Sequence, residues 1–380
     1  MGTDNVEEGI ELLVDGHAAF NRIIERIRSA SQSIYVNMFI WRDDKIGNII
    51  AQEIIDAADR GIKVNIVKDK LGEVFEKAEE NKQSFFHKRF NPNLFLTTAA
   101  MDLIYPMDGK AKNSMQKLSF LADRLLCHSN ISIEKEDIRG DHSKYYIFDE
   151  DILIMGGMNI EDKSIYTDVE GKKYNDYMIE MRGRIYVDKF IRRLYKGEPF
   201  DKESSFEYIF NVRREGKDLF YAKNQILELL SSARESIDII MAYIGDKDIT
   251  EKIVECSNRG IRITMLLPGK ANVQHDFNMK VIKYIMEKTD NKLNVYLSKN
   301  MVHAKLIWID GNIVTFGSAN LNRQAMRKLM ELNVLIKNHD ETFMESIENS
   351  IQRNMLDGTK IINSWEIKYN PFRALIEQMV

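Results

Sequence analysis

Two short runs of this sequence hold the residue types that phosphoryl chemistry needs. The first is His142-Ser143-Lys144-Tyr145-Tyr146-Ile147-Phe148-Asp149, and the second is His303-Ala304-Lys305-Leu306-Ile307-Trp308-Ile309-Asp310. Each reads His-x-Lys-x4-Asp. In each a glycine follows 14 residues after the histidine (Gly156, Gly317) and an asparagine 17 after it (Asn159, Asn320). A single bare match would arise by chance in roughly a few per cent of chains this long at average composition. Two copies with the same later offsets are far rarer, so the pair is read as one device. A phosphodiester needs a nucleophile, an acid for the departing alkoxide and donors for the equatorial oxygens. One histidine can attack phosphorus while the other protonates the leaving group, which divides a hard step into two easier ones. Lys144, Lys305, Asn159 and Asn320 are candidates to bind the phosphoryl oxygens and stabilise transition-state charge. Gly157 and Ser318 stand where backbone can approach a ligand closely.

These groups must be aimed by strands. Alternate strand residues share a face, so His142 and Lys144 point together, as do His303 and Lys305. The apolar residues that follow them read as sheet interior. Asp149 and Asp310 then fall at turns, where a carboxylate can bond local backbone, and both are read as mainly structural. Each histidine also calls for a carboxylate to fix its tautomer. Asp176, 34 residues after His142, and Glu331, 28 after His303, each head an apolar run. From spacing alone, a surface acid opening a strand is an equally good reading of both.

The elements around the motifs also occur twice. Ile23, Ile27, Ala30 and Ile34 recur as Ile226, Leu230, Ala233 and Ile237, all offset by 203. Their i, i+3, i+4, i+7 spacing marks an amphipathic helix leading into a strand. Arg60-Gly61-Ile62-Lys63-Val64 and Arg259-Gly260-Ile261-Arg262-Ile263 repeat a helix stop followed by a buried strand. This order predicts an α/β fold: two similar halves, residues 1–215 and 216–380, each a mixed sheet flanked by helices. The charged run Arg213-Arg214-Glu215-Gly216-Lys217 suits a linker between them. A less patterned stretch, about 73–137, exceeds an ordinary connection and reads as a helical insertion or lid, with solvated padding equally open.

Composition limits the alternatives. The 380 residues carry a net charge of −4 and a pI near 6.1, which argues against sequence-independent nucleic-acid binding. Two cysteines, Cys127 and Cys256, cannot build a disulfide framework. No carboxylate or Cys/His cluster has metal-ligand spacing, and neither metal nor cofactor is called for. There is no apolar run of membrane-spanning length and no signal-peptide profile, and Val6 stands where a myristoylation signal needs Ser or Thr. A cytoplasmic or peripheral-membrane location is expected. His17, His87, His128, His275 and His339 read as surface or satisfied core residues. Arg192, Arg193 and Lys196 read as a solvated helix face, with an anion-binding face as the alternative.

Over nearly its whole length the sequence resembles the phospholipase D superfamily, most closely its cardiolipin synthase branch. Besides the two motifs, the resemblance rests on Phe39-Ile40-Trp41 with Gly47, Arg60-Gly61-Ile62-Lys63, Asp176-Tyr177 with Gly183, and Gly317-Ser318-Ala319-Asn320-Leu321 with Glu331 and Asn333. It implies pseudo-twofold halves sharing one active site, a phosphohistidine intermediate, and orienting acids matching Asp176 and Glu331. It further implies a metal-independent phosphatidyltransferase on phospholipids, cardiolipin synthase-like and working at a membrane surface, with no obligate protein partner inferred. His142 is the expected nucleophile and His303 the expected acid. Hydrolysis by the same route is one alternative, a nuclease of the same family a second, and a catalytically silent scaffold a third. The family often has Asn before the first motif histidine and Arg after it. Here Asp141 and Ser143 take those places, and Gln324-Ala325 replaces an Arg-Ser pair after the second motif.

Overall fold

The structure, a computed structural model, describes residues 8–78, 85–86, 121–167 and 174–379. Two compact units divide the chain. One comprises Met1–Tyr166 and Met178–Ile191, the other Thr167–Tyr177 and Arg192–Val380.

The first unit is built on strands β1 (Gly9–Val14), β2 (Ser33–Met38), β3 (Lys63–Lys68), β4 (Ile131–Glu134), β5 (Lys144–Phe148), β6 (Ile152–Gly156) and β8 (Tyr177–Arg182). Their order across the sheet is β1-β8-β6-β5-β2-β3-β4. Strands β2, β3 and β4 run parallel, whereas β5, β6 and β8 are antiparallel to their neighbours, so the sheet is mixed. The helix Asp15–Ser29 buries Ala19, Phe20, Ile23 and Ile27, as its periodicity requires. The helix Lys45–Asp59 starts at Asp44, whose carboxylate accepts from the Gly47 amide at 3.0 Å. It stops at Gly61, where φ is +93°, a conformation that costs glycine little. Tyr146 and Phe148 join the core under these helices, and on the opposite sheet face Tyr145 meets Phe190 of the helix Arg184–Ile191 at 4.9 Å between centroids. Both faces are therefore covered.

The second unit repeats this plan with β9 (Phe206–Arg214), β10 (Lys217–Phe220), β11 (Ser236–Met241), β12 (Arg262–Pro268), β13 (Asn294–Ser298), β15 (Lys305–Ile309), β16 (Ile313–Gly317), β17 (Glu331–Lys337) and β18 (Gly358–Ile361). The order is β10-β9-β17-β16-β15-β11-β12-β13-β18. Seven of these nine match the first sheet in position, and β10 and β18 lie beyond them at the two edges. A short parallel pair, β7 (Tyr174–Asn175) with β14 (Met301–Val302), stands apart. Ile226, Leu230, Ile237, Ile263, Ile307 and Ile309 lie in one apolar core, the counterpart of that in the first unit.

Three expectations change. The run Arg213–Lys217, read above as a linker, is the tight end of the β9–β10 hairpin. Glu215 and Gly216 both have positive φ, as a two-residue hairpin turn demands, and Arg213 pairs with Asp218 across the strands at 2.6 Å. The stretch 73–137 is core at both ends. Phe85 and Phe86 pack on Trp41 with centroids 5.7 and 5.2 Å away, Ala122 and Leu125 of the helix Leu121–Cys127 are buried, and β4 is a sheet strand. The central part of the expected lid lies outside the described residues. Arg193 is not on a solvated face: it is buried in an ion pair with Glu207 at 2.8 Å.

Candidate active site

In both units the motif histidine stands two residues before the motif lysine, which is the first residue of a central strand. Lys144 and Lys305 are buried, and each ammonium donates to the backbone carbonyl of its own motif histidine, His142 or His303. The alternation of strand side chains does this: residues two apart share a face, so the lysine can fold back alongside the histidine.

Around His142 the packing is aromatic and polar. The Phe39 ring lies 4.8 Å from the imidazole, edge to face, and the Lys144 ammonium is 5.3 Å from that ring. The Asn37 amide donates to the Ser143 carbonyl at 3.1 Å and to its hydroxyl at 3.0 Å. Ser143 in turn donates to the Asp141 carboxylate from its amide and hydroxyl. Asp69 accepts from the amides of Asp141, at 2.6 Å, and Arg139. Burial pushes the Asp141 carboxyl above its ordinary range, and the Asp69 charge adds to that. Asp141 and Ser143, the departures from the family pattern at the first motif, thus belong to one network.

His303 has a carboxylate partner. Its Nδ1 is 2.7 Å from Asp176 Oδ2, and its side chain is 12% exposed. The Lys305 ammonium lies 3.0 and 3.3 Å from the two ring nitrogens and 3.9 Å from the same Asp176 oxygen. An Nδ1–H that donates to Asp176 cannot also accept from Lys305, so of the two ring nitrogens only Nε2, at 3.3 Å, can accept from the ammonium. That tautomer leaves Nε2 as the reactive nitrogen. The Asn175 carbonyl accepts from the amides of His303 and Ala304, both at 2.9 Å, and the Tyr174 ring is 5.6 Å from the imidazole. Chain spacing would associate Asp176 with His142. The structure instead sets it on the histidine of the other motif, within the second unit.

Glu331, the first residue of β17, is buried and accepts from the Ser318 hydroxyl, which itself accepts from the Leu332 amide at 3.0 Å. Beside it, a Cβ on Gly317 would come within 2.2 Å of the Leu332 carbonyl oxygen, so only glycine fits there. Gly157 is buried just after β6. Asn159 is buried, with Oδ1 accepting from the Ile40 amide at 3.3 Å and Nδ2 3.5 Å from Glu161. Asn320 is also buried, and its Oδ1 has no hydrogen-bond partner among the described residues. An orphaned buried acceptor of this kind is costly unless something else bonds it.

The two motif aspartates occupy equivalent turns. Asp149 accepts from the amides of Ser31, Gln32 and Ser33 at 2.7–2.9 Å and from the Ser31 hydroxyl at 3.0 Å. Asp310 accepts from the amides of Arg234, Glu235 and Ser236 at 2.8–2.9 Å. The partners are not local backbone, as the sequence suggested, but the loop that enters the neighbouring strand more than 70 residues earlier. Burial pushes both carboxyls up, but the amides outweigh it and hold them below the ordinary range. Among the described residues no three His, Cys, Asp or Glu side chains converge as metal ligands would.

Sequence reasoning did not single out Asn37, Asp69, Tyr174, Asn175 or the buried ion pair Lys68–Glu76 at 2.9 Å. For Asn37 a signal exists: it is a polar residue in an apolar strand, and its counterpart in the second copy is Ile240.

Comparison with known proteins gives the family and the fold. The family described as "Cardiolipin synthase, PLD-like domain" matches twice, at residues 23–180 and 226–355. A cardiolipin synthase of Listeria welshimeri is 23% identical over 366 residues, 91% of this chain and 69% of that protein. One of Oceanobacillus iheyensis is 20% identical over 370 residues, covering 93% and 70%. Among solved structures, phosphatidylserine synthase of Haemophilus influenzae superposes with a TM-score of 0.71 at 16% identity, covering 100% of this chain and 96% of that one. Polyphosphate kinase of Porphyromonas gingivalis gives 0.56 at 13% identity, covering 97% and 52%. At such identities these structures speak for the fold. With one motif inside each of the two family matches, the chain belongs to the cardiolipin synthase, PLD-like domain family, and so to the enzymes of the phospholipase D superfamily.

Proposed function

We propose that this chain is a phosphatidyltransferase acting on phospholipids through a phosphohistidine, in the manner of a cardiolipin synthase. The observation that carries the reading is the Asp176–His303–Lys305 group. It is an imidazole fixed at Nδ1 by a carboxylate, presenting Nε2, with a buried ammonium beside it. The cardiolipin synthases it resembles and the phospholipase D family to which it belongs supply the substrate class.

In the proposed reaction Nε2 of His142 attacks the phosphorus of a phospholipid. The P–N bond forms as the P–O bond to the departing alcohol breaks, and His303 gives that oxygen its proton. An incoming alcohol, such as the glycerol hydroxyl of a second lipid, then attacks phosphorus. His303 takes its proton, the P–N bond breaks, and both imidazoles return to their starting states. Lys144, Lys305, Asn159 and Asn320 would bind the phosphoryl oxygens, with Gly157 and Ser318 supplying backbone close to them. Glu331 would serve as the second orienting acid beside Asp176. Water in place of the alcohol gives hydrolysis by the same intermediate, so exclusion of water decides the outcome. A bilayer substrate implies work at a membrane surface, and among the described residues no helix is long and apolar enough to cross one.

The test is incubation of the protein with phosphatidylglycerol vesicles and an alcohol acceptor, followed by lipid mass spectrometry. Exchanged phospholipid with a phosphohistidine trapped on quenching is the expected result. Cleavage of single-stranded DNA with no change in any phospholipid would overturn it.

A further inference from the structure

Asp176 is held on His303 by very little strand. Strand β7 is two residues long, and its register with β14 consists of Tyr174 opposite Met301 and Asn175 opposite Val302. What grips this strap from its other side is the helix Glu341–Leu356. That helix begins at Asp340, whose carboxylate accepts from the Phe343 amide at 3.0 Å, and it turns Phe343, Ile347, Ser350 and Ile351 inward. Asn354 follows Ser350 by one turn on the same side. Its Oδ1 accepts from the Asn175 side-chain Nδ2 at 2.6 Å, and its Nδ2 donates to the Tyr177 phenol oxygen at 3.0 Å. Ser350 donates to that phenol oxygen at 2.8 Å. The two residues gripped, Asn175 and Tyr177, flank Asp176 on either side. Both are 2% exposed and Ser350 is 1% exposed, so water cannot readily replace the bonds.

We propose that Asn354 is a positioning residue that holds Asp176 on His303 by bridging Asn175 and Tyr177. The proposal rests on the reading above, in which His303 moves a proton during phosphoryl transfer. Among the described residues of its unit, the charged and titratable groups facing the imidazole include Asp176 on Nδ1, the Lys305 ammonium beside both ring nitrogens and the Tyr174 phenol ring at 5.6 Å. The carboxylate favours the imidazolium and the ammonium opposes it. If the strap slackens, Asp176 recedes while Lys305, buried at the start of β15, stays. The imidazolium then loses its support and Nδ1 its fixed tautomer. His303 would shed its proton at lower pH and be a poorer source of it for the leaving alcohol.

Two measurements test this. In transfer assays with phosphatidylglycerol vesicles, Asn354→Ala should lower kcat by roughly tenfold to a hundredfold with KM nearly unchanged, because a small misplacement of a reacting group is costly. The alkaline limb of its pH profile should move to lower pH. In an Asp176→Ala background the same change should cost less than about twofold, since two residues acting through one contact are not additive. NMR titration of the His303 imidazole, done without substrate, should show the same downward shift. Should Asn354→Ala not fold, Asn354→Gln, which keeps both hydrogen-bonding groups but displaces them by one methylene, should show a smaller shift in the same direction. Full activity of Asn354→Ala, an unmoved His303 titration, or an equal cost in both backgrounds overturns the proposal. A wild-type protein that transforms no phospholipid would instead sink the functional reading, and the titration would still decide the role of Asn354.

Discussion

Before β5, Ser143 is tied to Asn37 and Asp141, and Asp141 to Asp69. Before β15 the matching residue is Ala304, fully buried, and the strand position matching Asn37 is Ile240, paired in register with Leu306 as Asn37 is with Tyr145. At the end of β3, Lys68 and Glu76 form a buried ion pair. The corresponding residue of β12, Leu267, belongs to the apolar core. A buried pair roughly breaks even against a well-packed apolar replacement, so the contrast is not one of stability. It lies in the groups that underlie the two histidines. The shared parts are the strand order, the lysine folded onto the histidine carbonyl, and the aspartate that caps the neighbouring loop. These fix where a motif sits. The divergent parts differ in polarity: Ser143, Asn37 and Lys68 at the first motif stand where Ala304, Ile240 and Leu267 do at the second, whose histidine has its charged neighbours, Asp176 and Lys305, on the ring itself.

The comparison can be broken most severely at the histidines. His142→Ala and His303→Ala should each lower phosphatidyl transfer by on the order of 10⁴-fold in vesicle assays, because groups acting as one device fail together. Full activity in either would mean that the two copies are not equivalent partners. Asp176→Asn tests the carboxylate on the second motif. It should cost about 10³-fold in kcat while leaving the unfolding midpoint within a few degrees, since it reverses the tautomer preference but keeps the shape.

Smaller effects separate the two loop caps. Asp149→Ala and Asp310→Ala should each lower stability by about 2–4 kcal/mol in denaturant unfolding. Three charge-assisted bonds to backbone amides are lost in each, and at Asp149 a fourth from the Ser31 hydroxyl. Both carboxyls lie below their ordinary range in the folded chain. Their contribution should therefore be present above about pH 4 and disappear as pH falls through the depressed folded values. An acid-unfolding curve that is unchanged in either variant would sink this assignment. The smallest effect sharpens the contrast itself. Ser143→Ala should cost about 1 kcal/mol, and adding Asn37→Ile, which copies the second unit, should recover part of it. A strictly additive double variant would show that the two residues are not one unit.

Much of this was legible in the sequence because local pattern determines it. Motif spacing gave the histidine–lysine alignment. The offset of 203 gave the duplicated helix and strand, and Gly61 and Gly260 marked helix ends. The illegible parts depend on contacts between distant segments. Nothing in the spacing of Asp176 says that residues 167–177 join the second unit rather than the stretch before them. The aspartate caps were misjudged as local because a turn carboxylate usually bonds its own loop, whereas here the antiparallel neighbour offers three amides at strand entry. The run Arg213–Lys217 was taken for a linker because charge was weighed above the paired positive-φ residues Glu215 and Gly216, which the sequence alone presents as an ordinary polar stretch.

The excursion of Thr167–Tyr177 makes the duplicated halves interdependent. A fragment ending at Ile191 would carry away the acid of the second histidine, and a fragment beginning at Arg192 would hold an imidazole with no carboxylate on its Nδ1. Cutting the gene at the apparent seam of the repeat would thus give two incomplete products, neither able to stand for an ancestral single copy. Two such copies could restore each other only by trading this segment in trans, as domain-swapped dimers do.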